Sequence, residues 1–304
     1  MNTQTLVPTA PPTPNIRLEV EQERGVYWMF MHASPEQLAR PCCSLPIIQD
    51  GIAIQEYVTR LDRTRQLGGG TSLGHLVLAS DSDVFSLGGD LTMFSRAIRN
   101  ADREALTRYA HECAKAVFGF HAMAEHGMQS IALVQGDALG GGFEVALSCN
   151  TIIAEEGALL GFPESLFGLF PGMGAYSFLR RRVSSAQAKR MMFDGCLYNA
   201  ADLHRMGIVD VLVKRSEGVE AVEGMIRDRR RCGFAYGTVA RLENKYDGVP
   251  LAELEDITNE WVSTALALGE KGVQTMERIV RAQARRFAGR DANAPAPSIR
   301  TQGP

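Results

Sequence analysis

Glu144 and Glu164 stand twenty positions apart, each in a setting suited to proton transfer. Glu144 closes the run Gln135-Gly136-Asp137-Ala138-Leu139-Gly140-Gly141-Gly142-Phe143-Glu144, after the apolar residues 131–134 and before Val145-Ala146-Leu147-Ser148-Cys149. That order reads as strand, glycine turn and helix. Glycines let the backbone approach a ligand and leave N–H groups free to face it, and the first turn of a helix adds positive potential. A second glycine turn, Phe85-Ser86-Leu87-Gly88-Gly89-Asp90, follows the apolar stretch His75-Leu76-Val77-Leu78-Ala79. Two donor-rich turns and two carboxyls suit a reaction in which negative charge builds on an oxygen while a proton moves on the adjoining carbon skeleton.

These groups must be placed by the elements around them. Residues 16–20 and 26–31 read as paired strands, and a helix is predicted over 50–66 after a crossing broken by Pro35, Pro41 and Pro46. Strand 75–79 leads into the first glycine turn. From Leu91 to Gly127 the positions Phe94, Ile98, Ala101, Ala105, Tyr109, Cys113, Val117 and Phe120 keep helical spacing, which predicts long helices with one buried stripe. Such helices can also wall an acyl tunnel, for which Met93, Phe94, Met123 and Met128 are the candidates. Helices are further predicted at 185–192, 200–206, 221–232, 251–268 and 272–287, with a strand at 207–213. The result is a mixed α/β body followed by a helical carboxy-terminal region.

The motif order resembles the crotonase (enoyl-CoA hydratase/isomerase) superfamily: Phe85 to Asp90, then Gly140 to Glu144, then Phe162-Pro163-Glu164, then Gly168-Leu169-Phe170-Pro171-Gly172-Met173-Gly174. The likeness extends over roughly residues 16–288. Within it, residues 87–91, 138–148 and 169–178 look most like the synthases of diffusible signal factors, which make medium-chain cis-2-unsaturated fatty acids for bacterial cell–cell signalling. The resemblance makes the body over residues 16–215 a spiral of β-β-α units, followed by the helical domain over 216–289, and implies a homotrimer. The proline-rich ends, 1–15 with Pro8, Pro11, Pro12 and Pro14 and 290–304 with Pro295, Pro297 and Pro304, cannot build a core and read as tails without a fixed fold. The resemblance also implies that the N–H groups of Gly89 and Gly141 form the oxyanion hole. Leu87, Gly88, Met93, Phe94, Gly140, Gly172 and Met173 are the candidate substrate contacts.

On this reading the substrate is a 3-hydroxyacyl thioester, with Glu164 removing the α-proton and Glu144 handling the departing hydroxyl, roles the sequence leaves interchangeable. The product is expected to be the cis-2-enoyl thioester, which the same oxyanion hole and a glutamate-activated water would hydrolyse to the free acid. No Gly-x-Ser-x-Gly elbow is present, and the six histidines stand in no nucleophile or metal spacing, so no metal and no separate cofactor are expected. Hydratases of the superfamily that use coenzyme A often have a lysine where this chain has Asp83, with Asp81 close by. Carboxylates there disfavour a nucleotide phosphate cluster and favour a fatty acyl substrate carried on the 4'-phosphopantetheine of an acyl carrier protein. An ordinary enoyl-CoA hydratase is the alternative, and a binding partner of a membrane sensor kinase is a third reading.

Composition narrows the field. With 304 residues, 45% of them hydrophobic, the chain can bury a large core. Its formal net charge of −3 gives no electrostatic footprint for nucleic acid. The six cysteines lack Cys-x-x-Cys pairs and read as free buried thiols. No apolar stretch reaches the roughly 18 residues of a membrane span, so no membrane insertion and a cytoplasmic setting are expected. An acidic carrier protein would dock on basic residues, for which Arg180-Arg181-Arg182 with Lys189-Arg190, and Arg227 with Arg229-Arg230-Arg231, are the candidates.

Overall fold

The computed structural model describes residues 9–70 and 73–287. The expected tail over 290–304, and residues 1–8 of the expected amino-terminal tail, lie outside the described residues. Residues 9–15 run without regular structure, and Asn15 donates through its backbone N (3.0 Å) and Nδ2 (2.9 Å) to Asp50.

The chain begins with β1 (Ile16–Glu21) and β2 (Val26–Met31), then α1 (Pro35–Ala39), α2 (Leu45–Leu67) and β3 (Gly74–Ser80). Helix α2 begins before the predicted residue 50 because Pro46 occupies its first turn, where a missing N–H costs nothing. Next come α3 (Leu91–Arg99), α4 (Arg103–His121), β4 (Met128–Val134), β5 (Ala138–Leu139), α5 (Gly141–Ser148), β6 (Thr151–Glu155) and β7 (Leu159–Gly161). The chain continues through α6 (Ala175–Leu179), α7 (Ser185–Phe193), β8 (Leu197–Asn199), α8 (Ala200–Arg205) and β9 (Val211–Val213). The last strand is shorter than the predicted 207–213 because Ile208 and Val209 donate back to the carbonyl of Leu203 in α8. Helices α9 (Gly218–Asp247), α10 (Leu251–Leu266) and α11 (Glu270–Phe287) complete the described chain. The predicted end of α9 at Cys232 is a kink instead: Gly233 has φ 53° and ψ −130°, and the helix resumes beyond it.

Six strands form the main sheet in the order β1-β2-β3-β4-β6-β9, antiparallel between β1 and β2 and parallel elsewhere. Every residue of β2, β3 and β4 is buried, as expected when helices cover both faces of a parallel sheet. Alternate side chains serve separate layers. Trp28, Phe30, Val77, Ile131 and Ile153 pack under Val222 and Ile226 of α9. Tyr27, Met29, Leu76, Leu78, Ala132 and Ile152 face the main core, which Val58, Val117, Trp261 and Met276 also enter. The carboxy-terminal helices therefore share the main core through α10 and α11.

A second small sheet sets the site. Its order is β5-β7-β8, and a parallel bridge from Ser86 to Ala138 adds the first glycine turn at its edge. Each of β3, β4 and β6 thus leaves the main sheet, places a short extended piece in the second layer, and enters a turn. Ser86 bridges Ala138, Ala138 pairs with Leu160, and Leu139 pairs with Gly161. The turns that follow these pieces, at residues 87–89, 140–142 and 162–164, are stacked side by side by that register.

Candidate active site

The stacking demands very short contacts between turns. Gly88, at φ +91°, lies so close to β5 that a Cβ would sit 2.7 Å from the carbonyl oxygen of Leu139 and 3.4 Å from the N of Gly141. Gly140, at φ +52°, would place a Cβ 2.2 Å from Glu164 Oε1. Only glycine satisfies both the left-handed backbone and the contact. Phe143 and Phe162 stack at 4.9 Å between ring centroids and lock the second turn to the third.

Glu144 lies in the first turn of α5 and is 1% exposed. Its Oε1 accepts hydrogen bonds from the backbone N–H groups of Met173 (2.6 Å) and Ala175 (3.0 Å). Burial pushes its carboxyl up to about 7, against those two donors, which favour the ionised form. Glu164 sits in the single helical turn Pro163–Phe167. Its Oε2 is out of contact with solvent and has no hydrogen-bond partner among the described residues. Burial, and then the charge of Glu144, push this carboxyl up to about 8. A pair of carboxyls raised towards neutrality can hold one proton and release another, as acid–base chemistry on one carbon skeleton requires.

Gly89 and Gly141 bring their N–H groups to the same place. Gly141 is the first residue of α5, where a helix leaves its N–H groups without carbonyl partners. Among the described residues, neither N–H donates to a backbone carbonyl. Both glycines and both glutamates line one cavity of about 210 Å³, together with Leu87, Gly88, Phe94, Gly140, Gly172 and Met173. Its remaining walls are almost wholly apolar: Leu91 of α3, Tyr109, Ala110 and Cys113 of α4, Leu139, Leu166, Phe167 and Leu169, and Trp261 and Ile279 from α10 and α11.

Several expectations need correction. Met93 does not line the cavity, because it stands one residue, about 100° of helical rotation, from Phe94. Met123 and Met128 are buried in the main core, beyond the end of α4 and at the start of β4. Trp261 and Ile279 also form walls, which the sequence does not single out. Trp261 belongs to the α10 stripe Leu254, Thr258, Trp261, Val262 and Ala265, whose spacing signals burial without saying against what.

The basic runs are mostly committed within the fold. Arg181 donates to the carbonyls of Ser177, Asp247 and Gly248, and Arg182 to those of Cys149 and Ile208 and to Asp210. Arg229 donates to Thr151 and Arg230 to the carbonyl of Arg24. Arg180, Lys189, Arg190, Arg227 and Arg231 are exposed. Asp81 is held by Arg17 through Nε (3.0 Å) and Nη2 (2.6 Å), so of the two carboxylates near the first turn Asp83 is the exposed one. Of the six free thiols, Cys42, Cys43, Cys113 and Cys149 are buried, whereas Cys196 and Cys232 are exposed. Among the described residues no group of three or more His, Cys, Asp or Glu side chains could hold a metal, and no helix is long and apolar enough to cross a membrane.

Comparison with known proteins places this geometry. The family model described as enoyl-CoA hydratase/isomerase matches residues 54–227, which include both glutamates and all three turns and end before α10. A probable enoyl-CoA hydratase of Rhizobium meliloti (strain 1021) is 33% identical over 153 residues, 50% of this chain and 56% of that protein. The fatty acid oxidation complex subunit alpha of Shewanella loihica is 31% identical over 145 residues, 47% of this chain and 20% of that protein. The chain thus spans about half or less of the length of these curated relatives. Among solved structures, an enoyl-CoA hydratase from Bacillus halodurans superposes with a TM-score of 0.71 at 19% identity, over 87% of this chain and 99% of that one. Pseudomonas aeruginosa DspI does so with a TM-score of 0.63 at 22% identity, over 88% and 95%. These structural likenesses show the fold.

Proposed function

The chain belongs to the enoyl-CoA hydratase/isomerase family, and on that premise we propose that it is a diffusible signal factor synthase: a 3-hydroxyacyl-acyl carrier protein dehydratase that also hydrolyses its enoyl thioester. The observation that carries this reading is one apolar cavity holding two buried carboxyls, both raised towards neutrality, opposite two backbone N–H groups. In the dehydration step the thioester oxygen accepts from Gly89 and Gly141, so loss of the α-proton produces charge where two donors already point. Each such donor is worth on the order of 3 kcal/mol. Glu164, with an unpartnered oxygen, takes the α-proton from the form in which it is the ionised member of the pair, and Glu144, held by Met173 and Ala175, then delivers its proton to the β-hydroxyl, which leaves as water. Because Glu164 is raised above Glu144, this is the minor singly protonated form, and the major one, with the proton on Glu164, serves addition.

Hydrolysis uses the same parts. Water activated by one glutamate adds to the thioester carbon, the tetrahedral oxyanion rests on the two N–H groups, and the carrier thiol leaves with a proton. The apolar walls suit a medium fatty chain, and the likeness of residues 87–91, 138–148 and 169–178 to signal-factor synthases supports the cis-2-enoic acid as the released product. The exposed Asp83 supports a carrier protein over free coenzyme A. Docking of an acidic carrier falls to exposed cations such as Arg180, Lys189 and Arg190, and a homotrimer remains part of the proposal.

The second reading, an enoyl-CoA hydratase, is favoured by what the Rhizobium relative is called. A competition assay separates the two. Turnover of a 3-hydroxyacyl carrier-protein thioester that resists excess acyl-CoA, and that Glu144→Ala and Glu164→Ala each abolish, supports the synthase. Preferential turnover of the coenzyme A thioester, with no free acid, supports the hydratase.

A further inference from the structure

We propose that Tyr109 is a positioning residue for the N–H of Gly89, acting through the backbone of Cys43, an inference that rests on the thioester reading above. The N–H of Gly89 and the carbonyl of Gly88 belong to one trans peptide unit, so the two groups point in opposite directions. The Gly88 carbonyl accepts from the N–H of Cys43 at 2.7 Å, and Cys43 is not among the residues that line the cavity. The N–H of Gly89 is thereby turned towards the cavity that both glycines line. One residue earlier, the N–H of Leu87 donates to the carbonyl of Pro41 at 2.8 Å. The aim of the donor therefore depends on where residues 41–43 are held.

That segment lies between α1 and α2, and its only strand-like pairing among the described residues is the bridge from Cys43 to Gly89. Cys43 is secured from its other end by Tyr109, whose buried hydroxyl donates to the Cys43 carbonyl at 2.5 Å. Burial holds the phenol well above its ordinary range, so it stays a donor. The Tyr109 ring meets Phe94 edge-on at 5.0 Å between centroids, and the Phe94 ring lies within 2.6 Å of where a Gly89 Cβ would stand. Tyr109 of α4 thus clamps the strap by its hydroxyl and backs, by its ring, the Phe94 ring that lies against the turn.

The variant Tyr109→Phe keeps the ring and removes only the donor. Its kcat is expected to fall on the order of tenfold, less than the about 10²–10³-fold cost of removing an oxyanion donor outright. KM and acyl chain-length preference are expected to stay as in the wild type. A kcat within about twofold of wild type, or an altered chain-length preference with kcat intact, would overturn the proposal and leave Tyr109 as a cavity wall. Amide hydrogen exchange gives a readout free of turnover. In the wild type the Cys43 amide should be strongly protected and the Gly89 amide should exchange far faster; equal protection of the two would show that Gly89 has a partner of its own and is not presented to the cavity. Should no acyl thioester be turned over, the functional reading falls while exchange still decides whether Gly89 is presented.

Discussion

At the scale of single residues, environment separates the two glutamates. Glu144 accepts two backbone hydrogen bonds and is raised to about 7, whereas Glu164 keeps an unpartnered oxygen and is raised to about 8. Acid–base work needs one of the pair protonated and the other ionised, so kcat/KM is expected to peak between these values and fall on both sides, with apparent pKa values that belong to the pair. Replacing either by glutamine should lower turnover by about two to four decades. Stability carries a matching signature. A carboxyl raised in the folded state favours the folded protein while protonated, so the wild type should lose stability as pH rises from the ordinary range near 4.5 through about 8. Thermal unfolding of Glu164→Gln should lose part of that slope and exceed wild type above about pH 8; an unchanged slope would mean that Glu164 is not held protonated. Both glutamates were legible in the sequence because glycine and proline neighbours mark turns. Their pKa values were not, since these depend on burial and on two N–H groups about thirty residues downstream.

At the scale of elements, the site is a stack of three turns held in register by the small sheet. Gly140→Ala tests that stack, since a methyl group would stand 2.2 Å from Glu164 Oε1 on a backbone at φ +52°. The variant should lose both activity and thermal stability; retention of both would show that the turns are looser than described. Strand, turn and helix order could be read from the run of apolar residues and glycines. The stripe of α3 and α4 is equally visible as a buried face, but periodicity does not say which buried residue meets a cavity: Phe94, Tyr109 and Cys113 do, whereas Met93, Met123 and Met128 do not. Trp261 lies beyond the family match and comes to the cavity only because α10 packs on α4. Its ring presses on Gly172, where a Cβ would meet it at 2.3 Å, next to the residue whose N–H binds Glu144. Trp261→Leu should therefore shift preference towards bulkier acyl chains, on the scale of about 1–3 kcal/mol per methylene, measured as ratios of kcat/KM across a chain-length series.

At the scale of the whole molecule, a parallel sheet covered on both faces supplies the rigid frame, and the last two helices close the cavity over the turns. The two arginine runs, 180–182 with 189–190 and 227–231, read in the sequence as alternative docking surfaces. The fold spends much of that charge internally on carbonyls and carboxylates, which linear spacing cannot show. The central claim is that this enclosed pair of carboxyls releases a free 2-enoic acid from a carrier-bound 3-hydroxyacyl chain. The most direct measurement is mass spectrometry of the products formed from purified protein with 3-hydroxydodecanoyl thioesters of acyl carrier protein and of coenzyme A. Free cis-2-enoic acid from the carrier-protein substrate, absent with Glu144→Ala and Glu164→Ala, is the predicted result. Only bound enoyl thioester, made chiefly from coenzyme A and with no free acid, would contradict it.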